Sequence, residues 1–291
     1  MRGNVSPSDV EDRRYISRRA LLGGSIGAVV GVTVAGAAVW PFLPGRIKAL
    51  VLPDPNPYIP DAAEGKVTLE TVYSQERGAD VDLFTAVPHG YGDGEGLPVV
   101  IVLHGATATP AVYQEFGLPR FLTAAVEGGA EPFVLAGAAG GLLRWEPQPS
   151  GDNPQAMVLN EMPDWLNERG FDGDRRAVWG WSMGGYGALR LAEVAPGWGR
   201  ATAAFSPAIG PGDAVFADMD ALTGQPLGLW CGTDDPLYDG VHEFATTLPE
   251  PPEIASFSEG GHTRVFWNDQ TIEALTFLGS YLGGTKQKSS E

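Results

Sequence analysis

Cysteine occurs once in this 291-residue chain, at Cys231, histidine only four times, and Lys and Arg together number 19 against 36 Asp and Glu. A single thiol excludes an intramolecular disulfide framework. Its place inside an apolar run makes Cys231 a buried filler rather than a reactive group. The formal net charge of −17 excludes a surface built for nucleic acid and works against binding anionic lipid headgroups. No internal repeat is visible.

The few basic residues are unevenly spread. Residues 1–48 hold 7 Arg and Lys against 3 Asp and Glu, leaving 12 against 33 for the remainder. Within that basic segment, Ser17-Arg18-Arg19-Ala20-Leu21-Leu22 opens a charge-free stretch that lasts to Gly45. Paired arginines ahead of a moderately apolar, Gly/Ala-rich run are the sign of twin-arginine export. Residues 1–45 are therefore expected to be a signal peptide or a signal anchor, placing the protein in the extracellular space or the cell envelope. Ala35-Gly36-Ala37 offers a cleavage site. The apolar run 20–39, at about 1.5 Å per residue, is also long enough to cross a bilayer core of about 30 Å. Cleavage and anchoring in the cytoplasmic membrane are both open. A Pro-rich stretch, Pro53-Asp54-Pro55-Asn56-Pro57-Tyr58-Ile59-Pro60, cannot hold a helix and marks 46–65 as an extended spacer.

Removing the leader leaves about 245 residues, enough for one α/β domain with a sizeable core. Apolar alternation predicts opening strands at 67–73 and 81–87, then buried strands at 97–103, 133–136, 176–179, 201–205 and 227–232, with a last one at 254–257. Helices are expected at 121–126, 156–168, 186–194, 239–248 and 270–282. Such alternation means a mostly parallel central sheet with helices on both faces. The domain is expected over 66–284, with a polar tail at 285–291.

The motif with most chemical content is Gly180-Trp181-Ser182-Met183-Gly184, lying between the apolar run 176–179 and the helical run 186–194. With 40 Gly in the chain, ~0.2 chance matches to G-x-S-x-G are expected, so the context must carry the argument. A strand turning straight into a helix at a serine lifts the hydroxyl clear of the backbone, and glycines two positions either side avoid a collision. The turn leaves the Met183 amide unpaired at the positive end of the helix, ready to donate to an oxyanion.

In this topology the serine is followed by an acid and then a histidine. His89 and His104 precede Ser182, and His242 falls in a predicted helix close behind the acid candidates. His262, in the loop Glu259-Gly260-Gly261-His262 after a strand, is left as the base. The strand 227–232 exits into Asp234 and Asp235; Asp235 is the expected acid, with Asp234 capping the turn or meeting solvent. The second oxyanion donor is expected from the loop His104-Gly105-Ala106-Thr107, at the amide of Ala106, with His104 as a structural residue behind it. Arg144 and Trp145, after Gly140-Gly141, are expected at the mouth of the cleft as substrate-binding residues. The segment 206–225 is where a short lid would sit.

Taken together, Leu103-His104-Gly105, Glu161-Met162-Pro163-Asp164-Trp165-Leu166, Ser182-Met183-Gly184-Gly185-Tyr186-Gly187-Ala188-Leu189, Cys231-Gly232-Thr233-Asp234-Asp235 and Gly260-Gly261-His262 with Trp267 are specific in combination. Over roughly residues 66–283 the chain resembles the esterase D and mycolyltransferase group of α/β-hydrolases. That resemblance implies a serine esterase or acyltransferase working through an acyl-enzyme, with no metal and no organic cofactor, and a small-molecule or lipid acyl ester as substrate. It also implies Ser182 as nucleophile, His262 as base, and Ala106 and Met183 as oxyanion donors. The mycolyltransferase branch differs at three places. It begins its elbow helix Ser-Met-Ala-Ala, carries an arginine where Thr107 stands, and has a longer insertion before the histidine. Its acid is a glutamate in the following helix, at a position that looks like Glu243, which makes Glu243 the alternative acid. The aspartates at the strand exit place this chain nearer the general esterases. An envelope acyltransferase acting on a sugar or glycerol is the second expectation, and a non-catalytic binding protein of hydrolase fold a remote third.

Overall fold

The computed structural model describes residues 56–283. The expected signal or anchor segment lies outside them, and among the described residues no helix is long and apolar enough to cross a membrane. Eight strands form one sheet in the order β1-β2-β4-β3-β5-β6-β7-β8. The strands are β1 Glu64–Ser74, β2 Ala79–Pro88, β3 Pro98–Leu103, β4 Val134–Ala138, β5 Asp172–Trp181, β6 Thr202–Phe205, β7 Leu227–Gly232 and β8 Ile254–Ser258. Only β1 and β2 run antiparallel to their neighbours. The other six are parallel, and β3, β6 and β7 are buried along their whole length, as their uninterrupted apolar sequences require.

Helices cover both faces. On one side α1 (Leu118–Glu127) joins the long C-terminal helix, Arg264–Leu282, over a core that includes Phe121, Trp179, Phe205 and Trp230. On the other lies α2 (Met162–Glu168), preceded by a turn of helix Pro154–Ala156 and a π-turn Met157–Glu161. It shares its face with α3 (Met183–Val194) and α4 (Tyr238–Thr247), which bury Leu189, Val241 and Phe244. The C-terminal helix is α5.

Three expectations change in detail. The helix expected at 270–282 begins at Arg264, because Thr263 caps it with its hydroxyl accepting from the Phe266 amide. The end of the spacer belongs to the domain: Tyr58 meets Phe121 edge-on, its carbonyl accepts from Asn268 Nδ2 at 2.7 Å, and Pro60 is buried. The segment 206–225 carries two 3-10 turns, Ala214–Phe216 and Met219–Leu222, whose Val215 and Leu222 are buried against α3 and α4 rather than facing a ligand.

The parallel order also fixes where a site can form. From β3 the chain moves outward to β4, then returns to β5 on the other side of β3 and continues to β8. Such a reversal leaves a crevice at the carboxyl ends of β3 and β5, where ligands bind in open α/β sheets.

Candidate active site

Ser182 sits at that crevice with φ 55° and ψ −120°, a conformation most side chains avoid. Its amide donates to Phe205 O at 2.8 Å, and its carbonyl accepts from the amides of Tyr186 and Ala208, so the bend is held from β6 and from inside α3. The flanking glycines are required by contact. A Cβ on Gly180 would lie 2.1 Å from Gly184 O, and one on Gly184 would lie 1.9 Å from Leu103 O. The start of α3 is thereby seated on the exit of β3.

His262 follows β8 and reaches across two strands to this point. Its Nε2 is 2.9 Å from Ser182 Oγ and its Nδ1 is 2.9 Å from Asp235 Oδ2. The Asp235 side chain is fully buried, while that of His262 stays 20% exposed. Asp235 Oδ1 accepts from the Leu237 amide at 2.8 Å, so both carboxylate oxygens are engaged and the acid is held in one orientation. A carboxylate so placed keeps the imidazole proton on Nδ1 and leaves Nε2 to accept from the serine hydroxyl.

The competing acids are elsewhere. Asp234 is exposed at the β7 exit, its amide donating to Gly260 O. Glu243 is exposed on α4. Neither forms a hydrogen bond to His262, so the structure brings together Ser182, Asp235 and His262 and leaves both alternatives apart.

Among the described residues neither the amide of Met183 nor that of Ala106 is given to a protein acceptor. Met183 opens α3, so its N–H belongs to the free positive end of that helix. Ala106 follows His104, whose ring is structural: Nε2 accepts from the Gly140 amide at 2.9 Å and Nδ1 is bonded to Gly105 O. Burial holds the His104 pKa below its ordinary value. A neutral ring is what accepting from Gly140 needs.

Arg144 and Trp145 share left-handed backbone, φ 55° and 59°, but not a role. The expectation that Trp145 lines the cleft mouth is corrected. Its indole is 1% exposed, donates to His104 O at 3.2 Å, and lies against Gly140 and Gly187, whose missing Cβ atoms make the slot. Arg144 is half-exposed, stacks 4.1 Å over the Tyr186 ring and pairs with Asp213 at 3.0 Å, tying the loop after β4 to the segment 206–225. Cys231 is buried, and burial pushes its thiol pKa far up.

The surroundings of two residues escaped the sequence analysis. Ser206, at the exit of β6, has φ 41° and is fully buried. Trp267, in the first turn of α5, meets His262 edge to face with centroids 4.9 Å apart. The position of Ser206 one residue past a buried strand was the available signal; Trp267 gave none beyond its place in a motif. Among the described residues no group of three or more His, Cys, Asp or Glu is placed to hold a metal ion.

The sheet order, the strained serine and the two faces of helices define an α/β-hydrolase. The family described as "Putative esterase" matches residues 74–244, and the chain belongs to it. It is a carboxylesterase-type hydrolase. No curated protein matches the sequence significantly. The fold is shared with solved structures at low identity. A ferulic acid esterase is 20% identical with TM-score 0.63, covering 75% of this chain and 98% of that one. An S-formylglutathione hydrolase from Agrobacterium tumefaciens is 17% identical, TM-score 0.61, covering 76% and 99%. MPT51 of Mycobacterium tuberculosis is 16% identical, TM-score 0.60, covering 75% and 100%.

Proposed function

We propose that the protein is an exported serine esterase that hydrolyses small acyl esters through Ser182, His262 and Asp235. The continuous chain Asp235–His262–Ser182, with both links at 2.9 Å, is the observation that carries this. His262 Nε2 takes the proton from Ser182 Oγ as the oxygen attacks the ester carbonyl carbon. The resulting oxyanion receives the Met183 and Ala106 amides, and Asp235 stabilises the imidazolium. Collapse breaks the bond to the alcohol oxygen, which leaves with the proton from Nε2. Water then repeats the sequence on the acyl-serine, releasing the acid and restoring Ser182.

Water and an alcohol compete for the same acyl-enzyme, so product analysis decides between hydrolysis and transfer. With a labelled long-chain ester and trehalose present, free acid is the expected main product. Acyl-trehalose outpacing it would overturn the esterase reading in favour of an acyltransferase. Export rests on Ser17-Arg18-Arg19 and its apolar run. Replacing both arginines with lysine should hold the protein in the cytoplasm, and unchanged appearance outside the membrane would remove the twin-arginine reading. N-terminal sequencing of exported protein would show whether cleavage occurs near Ala37.

A further inference from the structure

His262 is held by two hydrogen bonds, one at each ring nitrogen: Nδ1 to Asp235 and Nε2 to Ser182. Such an arrangement sets the direction of each nitrogen but leaves the ring able to tilt about the line joining its two partners. Something must block that tilt if Nε2 is to stay on the serine. Trp267 stands at the required place, with its ring at 85° to the imidazole and the centroids 4.9 Å apart.

Trp267 is itself held. Its Nε1 donates to Ser206 Oγ at 3.0 Å, across 61 residues of sequence. Ser206 adopts a left-handed φ of 41° at the exit of β6, with its amide donating to Trp230 O at 2.7 Å. A non-glycine residue stays in that region only where its surroundings hold it there. The strained turn aims a fully buried hydroxyl at the indole. Trp267 also packs against the core cluster that holds Trp179, Trp181 and Phe205. It lines a small pocket of about 20 Å³ together with Trp179, Trp181, Phe205, Asn268 and Thr271. The hydrogen bond to Ser206 adds a directional hold on the indole that packing alone does not supply.

We propose that Ser206 and Trp267 are positioning residues for His262: the Ser206 hydroxyl locks the indole, and the indole holds the imidazole plane in line with Ser182. This rests on His262 acting as the base. Neither residue touches the reacting atoms, so removing the lock misdirects the proton transfer and leaves substrate binding intact.

The test uses Ser206→Ala, which keeps the indole, and Trp267→Phe, which keeps an aromatic face but loses the donor. Each is expected to lower kcat by about tenfold with KM within twofold, because small misplacements of a catalytic group carry large rate costs. The double variant should lose little more than either alone, since both remove one hydrogen bond. The rate of fluorophosphonate labelling, which also needs an activated Ser182, should fall in parallel. Melting temperatures measured alongside separate this from unfolding; Ser206→Ala deletes one oxygen and is the variant expected to fold normally. Full kcat in folded Ser206→Ala and Trp267→Phe, additive losses in the double variant, or a rise in KM at constant kcat would each overturn the proposal. Failure of the wild-type protein to be labelled at Ser182 would instead remove the esterase reading beneath it.

Discussion

The indole of Trp145 occupies the space a side chain on Gly187 would need: a Cβ there would lie 2.6 Å from Trp145 Cγ. A loop after β4 and a helix after β5 are locked together through an absent methyl group. Gly187→Ala should force the indole outward and, as overpacking typically does, cost about 2–3 kcal/mol. In a domain of this size that lowers the melting temperature by roughly 5–10 °C. An unchanged melting curve would mean that Trp145 is not the wedge it is taken to be.

Ser182→Ala should abolish ester cleavage while leaving the fold intact, and a fluorophosphonate probe should label Ser182 alone. Loss of such a nucleophile costs on the order of 10⁶ in turnover. Residual activity above about a tenth of wild type would remove Ser182 from its assigned role.

Asp235→Asn should lower kcat by about 10⁴, because the amide stabilises the wrong imidazole tautomer. Asp234→Asn and Glu243→Gln should stay near wild type, since both side chains are exposed and unbonded to His262. If Glu243→Gln proves the most damaging of the three in steady-state assays, the acid has been misassigned.

Specificity constants on p-nitrophenyl esters should plateau or fall beyond a medium acyl length. Val215 and Leu222 are buried under the segment 206–225, and Phe216 and Met219 pack against the same core, so none of them is free to sheathe a long tail. Each buried methylene would add about 0.8 kcal/mol, and a chain left in water gains none of it. A steady rise to long chains would contradict this.

Glu193 gives a pH signature. Its side chain is fully buried beside Arg190, and burial raises its pKa from 4.5 to about 7 despite that partner. The folded protein therefore binds this proton more tightly than the unfolded chain. The associated stability is complete below pH 4.5 and is lost as pH rises to about 7. At about 1.4 kcal/mol per pH unit the loss is on the order of 3–4 kcal/mol. Denaturant titrations across that range should show the decline, and Glu193→Gln should flatten it.

The candidate site was largely legible because its signals are local or numerical. The elbow glycines flank Ser182 in sequence, four histidines leave few choices, and Asp235 follows directly on a buried strand. The mostly parallel sheet with helices on both faces followed from the alternation of strands and helices, whereas the order of its strands was not read from the sequence. What sequence could not reveal depends on segments meeting from afar. Trp145 is buried because Gly140 and Gly187 make room for it, and nothing near residue 145 announces that. The early start of α5 was hidden because Val265-Phe266-Trp267 has the composition of a strand, and only the Thr263 cap marks it as helix. Ser206 carries the signature of an ordinary post-strand turn, and its partner lies 61 residues away.

The three residues of the proposed triad are carried by elements of unequal security. Ser182 follows β5, whose last five residues are buried between two neighbouring strands, whereas His262 follows β8, an edge strand paired on one side only and buried at none of its five residues. Local opening begins where backbone pairing is one-sided and exposed. As temperature or denaturant rises, β8 can fray and carry His262 away while the central strands still hold their serine. Inactivation is then a separate and earlier event than unfolding, reversible as long as the sheet around β5 persists.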